Sequence, residues 1–388
     1  MGSYPITAYS ASNALGNTTT EVVAALDSGR SGLRPIPAEF GIAGTCGIVP
    51  GPLPALPSAL GDYDSRLTRI AQLALDDLSR PLEAARKRWG ADRIGLLLGT
   101  STGGIYESER AYRHHLAHGT LPAGYSLERQ HSLHAGLHVV RMLADLRGPS
   151  YVVSTACSSS ARVCAGAMRL LDAAVCDAVL VGGVDSLCQL TLKGFAGLEV
   201  LSPAPCRPFS SLREGINIGE GAAYLLIERL GDGPARLLGV GESGDAYHMT
   251  SPHPEGLGAL LAMQRAISAG GLDPSEIDHI NVHGTGTKQN DEVEGKAIRE
   301  LLGPEVAVLA TKGYCGHLLG AAGATELAFT VAAIEGGFLP ASVGADPVDA
   351  SIGVAVNVAR RDFTTRYALS NSFAFGGSNV SVLLGGPA

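Results

Sequence analysis

Ser154-Thr155-Ala156-Cys157-Ser158-Ser159-Ser160 decides the reading of this chain. An apolar run, Tyr151-Val152-Val153, precedes it, and a small-residue helical run from Ala161 to Val175 follows. Cys157 therefore falls on a strand-turn-helix junction, where the positive end of a helix lends a thiol anionic character. Two later strand-to-loop junctions each present a histidine, in Val282-His283-Gly284-Thr285-Gly286-Thr287 and in Lys312-Gly313-Tyr314-Cys315-Gly316-His317. Imidazoles so placed can handle protons and a developing oxyanion. The layout points to thiol-based acyl transfer.

Working outward, strand and helix patterns alternate, which favours a layered α/β architecture. Arg93 to Gly99 and Ala178 to Gly183 read as buried strands, and Leu225 to Leu230 closes a first half. The turn Gly231-Asp232-Gly233-Pro234 leads to a second, opened by Arg236 to Val240. The second half echoes the first. Ile277 to His283 mirrors Arg93 to Gly99, and Val306 to Thr311 with the small-residue helix Leu318 to Ile334 mirrors the Cys157 strand, turn and helix. Such order predicts an internal duplication, residues 1–233 and 234–388, with Cys157 and His317 on equivalent turns.

The bulk numbers bound the possibilities. A chain of 388 residues, 45% hydrophobic and 17% charged, can bury a large core. A net charge of −8 argues against nucleic-acid binding. The seven cysteines, Cys46, Cys157, Cys164, Cys176, Cys188, Cys206 and Cys315, form no CxxC pair, and their odd number favours reduced thiols. No signal peptide and no run of about 20 apolar residues is visible, so the expectation is a cytoplasmic protein off the membrane.

These motifs, with Gly219-Glu220-Gly221-Ala222, Asp245 to Thr250, Lys312 to Gly323 and Asn371 to Asn379, resemble the β-ketoacyl-acyl-carrier-protein synthases over nearly the whole chain. The resemblance implies a thiolase fold, a duplicated α/β unit in a five-layer α-β-α-β-α sandwich. It also implies decarboxylative Claisen condensation of an acyl thioester with malonyl-acyl-carrier protein, in fatty acid, polyketide or aryl-polyene biosynthesis. Cys157 would carry the acyl group, while His283 and His317 would stabilise the malonyl-derived enolate. Backbone N–H groups of Cys157 and Phe375 would hold the tetrahedral oxyanion, and Lys312 and Glu294 would organise the site. Thr250, Thr285 and Thr287 would contact the phosphopantetheine arm, with Phe375 gating the pocket. The arm arrives on the carrier protein, so neither cofactor nor metal is expected. The partners implied are acyl carrier protein and a second subunit, in a homodimer or in a heterodimer with a related ketosynthase or chain-length factor.

Blander readings stand beside these. Cys157 alone reads as a buried structural thiol, and with the two histidines as an incomplete zinc set lacking a fourth ligand. His131, His134 and His138 have helical spacing, without a carboxylate or cysteine to suggest metal. Arg66, Arg69, Lys193, Arg207 and Arg213 read as solvated charge or as carrier-docking groups. Pro208-Phe209-Ser210-Ser211-Leu212-Arg213-Glu214-Gly215-Ile216 departs from the family's Pro-Phe-Asp-x-Asp-Arg-Asp-Gly-Phe, and Ala374 replaces a glycine of the gating loop. Both hint at a specialised pathway. A chain-length-determining partner subunit is the alternative function, set back by the presence of Cys157. A thiolase is set back by His317, where thiolases use a second cysteine.

Overall fold

The two halves share one strand order, as seen in a computed structural model that describes residues 2–387. In the first half, strand Tyr4–Asn13 is followed across the sheet by Gly221–Glu228, Ala178–Asp185, Ile94–Gly99 and Ser150–Val153. The second half repeats this with Ala235–Gly244, Ser378–Gly385, Tyr367–Ala374, His279–Asn281 and Ala307–Leu309, and adds the short Ala355–Val356 at the edge. In each half the second and third strands of the chain run parallel, and its first and last strands run antiparallel. Hydrogen bonding joins the halves into one sheet of eleven strands. The link is narrow: Tyr4, Pro5 and Ile6 pair with Leu237, Arg236 and Ala235.

Helices Ser159–Asp172 and Ala322–Gly336 each pack on strands of both halves and form the central layer. Their composition explains their place. From Ala322 to Ile334 every residue is buried, as suits a helix of mostly small and apolar residues. Helices Arg66–Asp76 and Leu133–Leu143 cover the outer face of the first half, and Leu257–Gly270 and Lys288–Leu302 that of the second. Five layers result. The helix after Cys157 begins at Ser159, two residues earlier than its small-residue pattern indicates, because Ser158 already serves as its N-cap.

Close approach at the centre depends on missing side chains. A Cβ at Gly99 would lie 2.4 Å from the Ser160 nitrogen, and one at Gly183 would lie 2.5 Å from the Ser160 Cβ. Glycine at both strand ends lets the start of helix Ser159–Asp172 press directly against the sheet.

Candidate active site

Cys157 immediately precedes the N-cap of helix Ser159–Asp172, and Ala156 before it adopts a φ of 52°. An L residue in that region marks a strained turn that its surroundings must hold. The Cys157 side chain is 7% exposed. Burial pushes its thiol up to about 11, against the opposing pull of the Lys312 charge and of the backbone N–H groups of Phe375 and of Cys157 itself. Burial thus opposes the anionic character expected from the helix end.

Strand His279–Asn281 delivers His283 to a loop clamped by Glu294. The N–H groups of His283 and Gly284 donate to Glu294 Oε1 at 2.8 Å and Oε2 at 2.9 Å, and Asn371 Nδ2 donates to Oε1 at 3.0 Å. Lys312, 2% exposed, donates to the His283 carbonyl, to Glu326 Oε1 at 2.5 Å and toward His283 Nδ1 at 3.5 Å. An ammonium only donates, so Nδ1 accepts and the His283 proton sits on Nε2. The His317 ring meets that of His283 edge-on, with centroids 5.3 Å apart. It is 1% exposed, and neither ring nitrogen has a hydrogen-bond partner. Burial, with the Lys312 charge second, holds both imidazoles well below the usual histidine value. Both are neutral at physiological pH.

Cys157, His283 and His317 line one cavity of about 350 Å³, together with Thr250, Thr285 and Thr287. The Thr285 and Thr287 hydroxyls bond each other at 2.8 Å. Phe375, 38% exposed, stacks on Phe195 with centroids 5.7 Å apart. Lys312 and Glu294 stand behind His283 and brace its loop. All nine residues expected at the site thus gather there. Ala374 ends strand Tyr367–Ala374, and the turn after Phe375 is made by Gly376 and Gly377, with φ of 85° and 73°. Left-handed backbone is needed at those glycines, so the Cβ of Ala374 costs the turn nothing.

Other expectations need correction. Arg213 is 4% exposed, donating to Asp349 Oδ2 at 2.6 Å and to Glu292 Oε1 at 2.9 Å. Arg66 is bound to the buried Glu220, and Arg69 to Asp64. None of these three is a free docking charge, because carboxylates from distant segments or the preceding turn neutralise them. Arg207 is half-buried against the carbonyls of Gly344 and Asp346, while Lys193 is exposed. His131 Nδ1 bonds Ser108 at 2.6 Å and His138 stacks on Tyr63. Among the described residues no three His, Cys, Asp or Glu side chains gather as a metal site, and no helix is long and apolar enough to cross a membrane.

Two acidic groups of the site escaped the sequence reading. Glu326 pairs with Lys312, and its signal was available: it is the single charged residue between Ala321 and Ile334. Asp291 accepts from the N–H groups of Phe209 at 2.8 Å and Gly286 at 3.2 Å, tying the threonine loop to the segment before Arg213.

Residues 5–233 match the N-terminal domain model of the β-ketoacyl synthases, and residues 234–346 match the C-terminal one. The chain belongs to the β-ketoacyl synthase family. It is an acyltransferase of the condensing type. Nodulation protein E of Rhizobium meliloti (strain 1021) is 33% identical over 385 residues, covering 94% of each chain. The 3-oxoacyl-[acyl-carrier-protein] synthase 2 of the same organism is 35% identical over 324 residues, 75% of this chain and 73% of its own. Among solved structures, the ketosynthase ApeO in complex with its chain length factor ApeC, from Xenorhabdus doucetiae, superposes with a TM-score of 0.92 at 35% identity. The match covers 99% of this chain and 98% of the solved one.

Proposed function

We propose that this β-ketoacyl synthase condenses a Cys157-bound acyl group with a malonyl group carried on acyl carrier protein, in two stages. Cys157 sulfur attacks the acyl thioester, its proton passes to the departing carrier thiol, and an acyl-enzyme remains. The malonyl thioester then enters, and the N–H groups of His283 and His317 hold its carbonyl oxygen. As the carboxylate leaves as carbon dioxide, its electron pair forms the enolate, whose carbon attacks the acyl carbonyl. The N–H groups of Cys157 and Phe375 receive the tetrahedral oxyanion. Collapse forms the β-ketoacyl thioester and returns Cys157, which takes a proton from water.

The single observation that carries this reading is His317, a neutral buried ring with both nitrogens unpartnered beside His283 and Cys157. An unpaired buried donor is costly unless a substrate oxygen completes it. Thr250, Thr285 and Thr287 suit the amides of a phosphopantetheine arm, and no further cofactor enters.

Acyl carrier protein is the macromolecular substrate in this reading, with the exposed Lys288 on the cavity lining to meet its acidic surface. The chain divides functionally into residues 1–233, bearing the nucleophile, and 234–388, bearing both histidines. Strand Ser150–Val153 leaves an open sheet edge with Tyr151 40% exposed, and Tyr112 and Leu116 stand exposed on helix Ile105–His118. These features support pairing with a second copy or with a related chain, as in the ApeO complex. Seven unpaired cysteines accord with the cytoplasm.

The test is product formation from acyl- and malonyl-loaded carrier proteins. The expected result is one β-ketoacyl thioester per carbon dioxide released. A product that keeps the malonyl carboxylate, or no product across acyl lengths, refutes the reading.

A further inference from the structure

Beside the Cys157 turn lies a chain of hydrogen bonds that the condensation chemistry leaves without a role. Arg162 Nη2 donates to Ser378 Oγ at 2.9 Å, and Ser378 Oγ lies 2.9 Å from Ser158 Oγ. Ser158 Oγ in turn bonds the Thr155 carbonyl at 2.9 Å. The direction follows from what each group can do. A guanidinium only donates and a carbonyl only accepts. Ser158 therefore spends its single proton on Thr155, and Ser378 must spend its own on Ser158. Thr155 Oγ1, 3.0 Å from Ser158 Oγ, supplies a second proton to that oxygen. Arg162 is fixed at its far side by Glu242, 3.4 Å away, which Arg169 also binds at 2.6 Å.

The two ends of this chain matter. Ser158 and Thr155 flank the turn that carries Cys157, whose Ala156 backbone is strained. Ser378 opens the strand that follows the Gly376–Gly377 turn, and it faces Ala374 across that hairpin. Phe375 lies between them, its backbone N–H near enough to the Cys157 thiol to pull against the rise that burial causes. The other holds on this loop reach different segments: the Gly376 N–H donates to the Met249 carbonyl at 2.7 Å, and the Asp245 N–H donates to the Gly377 carbonyl at 2.9 Å. Among the described residues, the hydrogen bonds that couple the base of the gate to the start of the helix after Cys157 are those of the serine pair and Arg162.

We infer that Ser378 is a positioning residue: clasped by Ser158 and Arg162, it fixes the Phe375 N–H against Cys157 while the gate turns about Gly376 and Gly377. The inference rests on the assignment of Cys157 as nucleophile and of the Phe375 N–H as an oxyanion donor. Its consequence is confined to steps at the Cys157-bound carbonyl. Decarboxylation of malonyl, held by the two histidines, does not call on it.

The test compares Ser378→Ala, Ser378→Thr, Ser158→Ala and the Ser158→Ala/Ser378→Ala pair in the full-length enzyme. Acyl loading on Cys157 is followed by intact mass, and uncoupled malonyl decarboxylation is measured separately. Loss of a hydrogen bond from a charged donor predicts loading about 10-fold slower in Ser378→Ala, with decarboxylation unchanged. Ser378→Thr restores loading because the hydroxyl remains. The double variant loads no more slowly than the worse single one, since both break the same chain. Wild-type loading in Ser378→Ala, equal losses in both half-reactions, or additive effects in the pair overturn the inference alone. Absence of acyl on Cys157 in the unaltered enzyme overturns the nucleophile assignment and the inference with it.

Discussion

Replacing Lys312 by methionine removes a buried charge while keeping most of its volume. The ammonium stands 2.5 Å from Glu326 Oε1, so at an effective dielectric of 20 the gross attraction is about 7 kcal/mol. Desolvation of both ions takes back much of this, and removing one partner of a buried pair typically costs about 3–5 kcal/mol. Here Glu326 has an escape. Burial already raises its carboxyl to about 7 against the pull of Lys312, so without the lysine it holds its proton at neutral pH. The expected loss at pH 7 is thus at the lower end, about 3 kcal/mol.

The pH dependence has a definite sign. In Lys312→Met the folded pKa of Glu326 lies further above its unfolded value, and the native state binds more protons than the unfolded one. Stability therefore falls as pH rises from the unfolded carboxylate range through and beyond about 7. Chemistry suffers separately, because Lys312 fixes the carbonyl and the tautomer of His283. Misdirecting one oxyanion donor predicts decarboxylation slower by about 10²–10³. Denaturant unfolding across pH and carbon dioxide release from a malonyl thioester measure the two effects. Lys312→Met/Glu326→Gln should regain stability without regaining decarboxylation. A double variant that recovers both, or a single variant that decarboxylates at the original rate, refutes the role given to Lys312.

His283→Ala and His317→Ala are each expected to lose about 3 kcal/mol of transition-state stabilisation in decarboxylation while still loading acyl groups. Equal loss of both half-reactions would instead make the histidines activators of Cys157. At the gate, nothing lies within 4 Å of a Cβ built on Gly376, so Gly376→Ala strains only the left-handed backbone, by about 1 kcal/mol. It should slow acyl loading several-fold, whereas Ala374→Gly leaves the acyl-length profile unchanged. The opposite pattern would move the hinge to residue 374.

The duplication was legible because each half writes its second and third strands with the same punctuation, and the Cys157 and His317 turns fall at matching places. The candidate site was legible as a place because Cys157, His283 and His317, which line one cavity, sit at strand ends where glycine, threonine and serine cluster. Charge pairing was not. Arg66 meets Glu220 and Arg213 meets Asp349 across more than a hundred residues, and no local pattern distinguishes such arginines from solvated ones. The environment of the thiol was hidden for a related reason. The helix end is visible in sequence, but the burial that pushes the thiol up is a property of the packed layers. Glu326 was readable and went unread, since a lone carboxylate in a small-residue helix needs a buried partner.

The account turns on where the acyl group resides. Brief incubation with an acyl-loaded carrier protein, followed by digestion and peptide mass mapping, locates it directly. The prediction is a single acyl adduct on the peptide bearing Cys157, absent from Cys157→Ala, with the other six cysteines unmodified. An adduct on any other residue, or an acyl-enzyme that persists in Cys157→Ala, would contradict it.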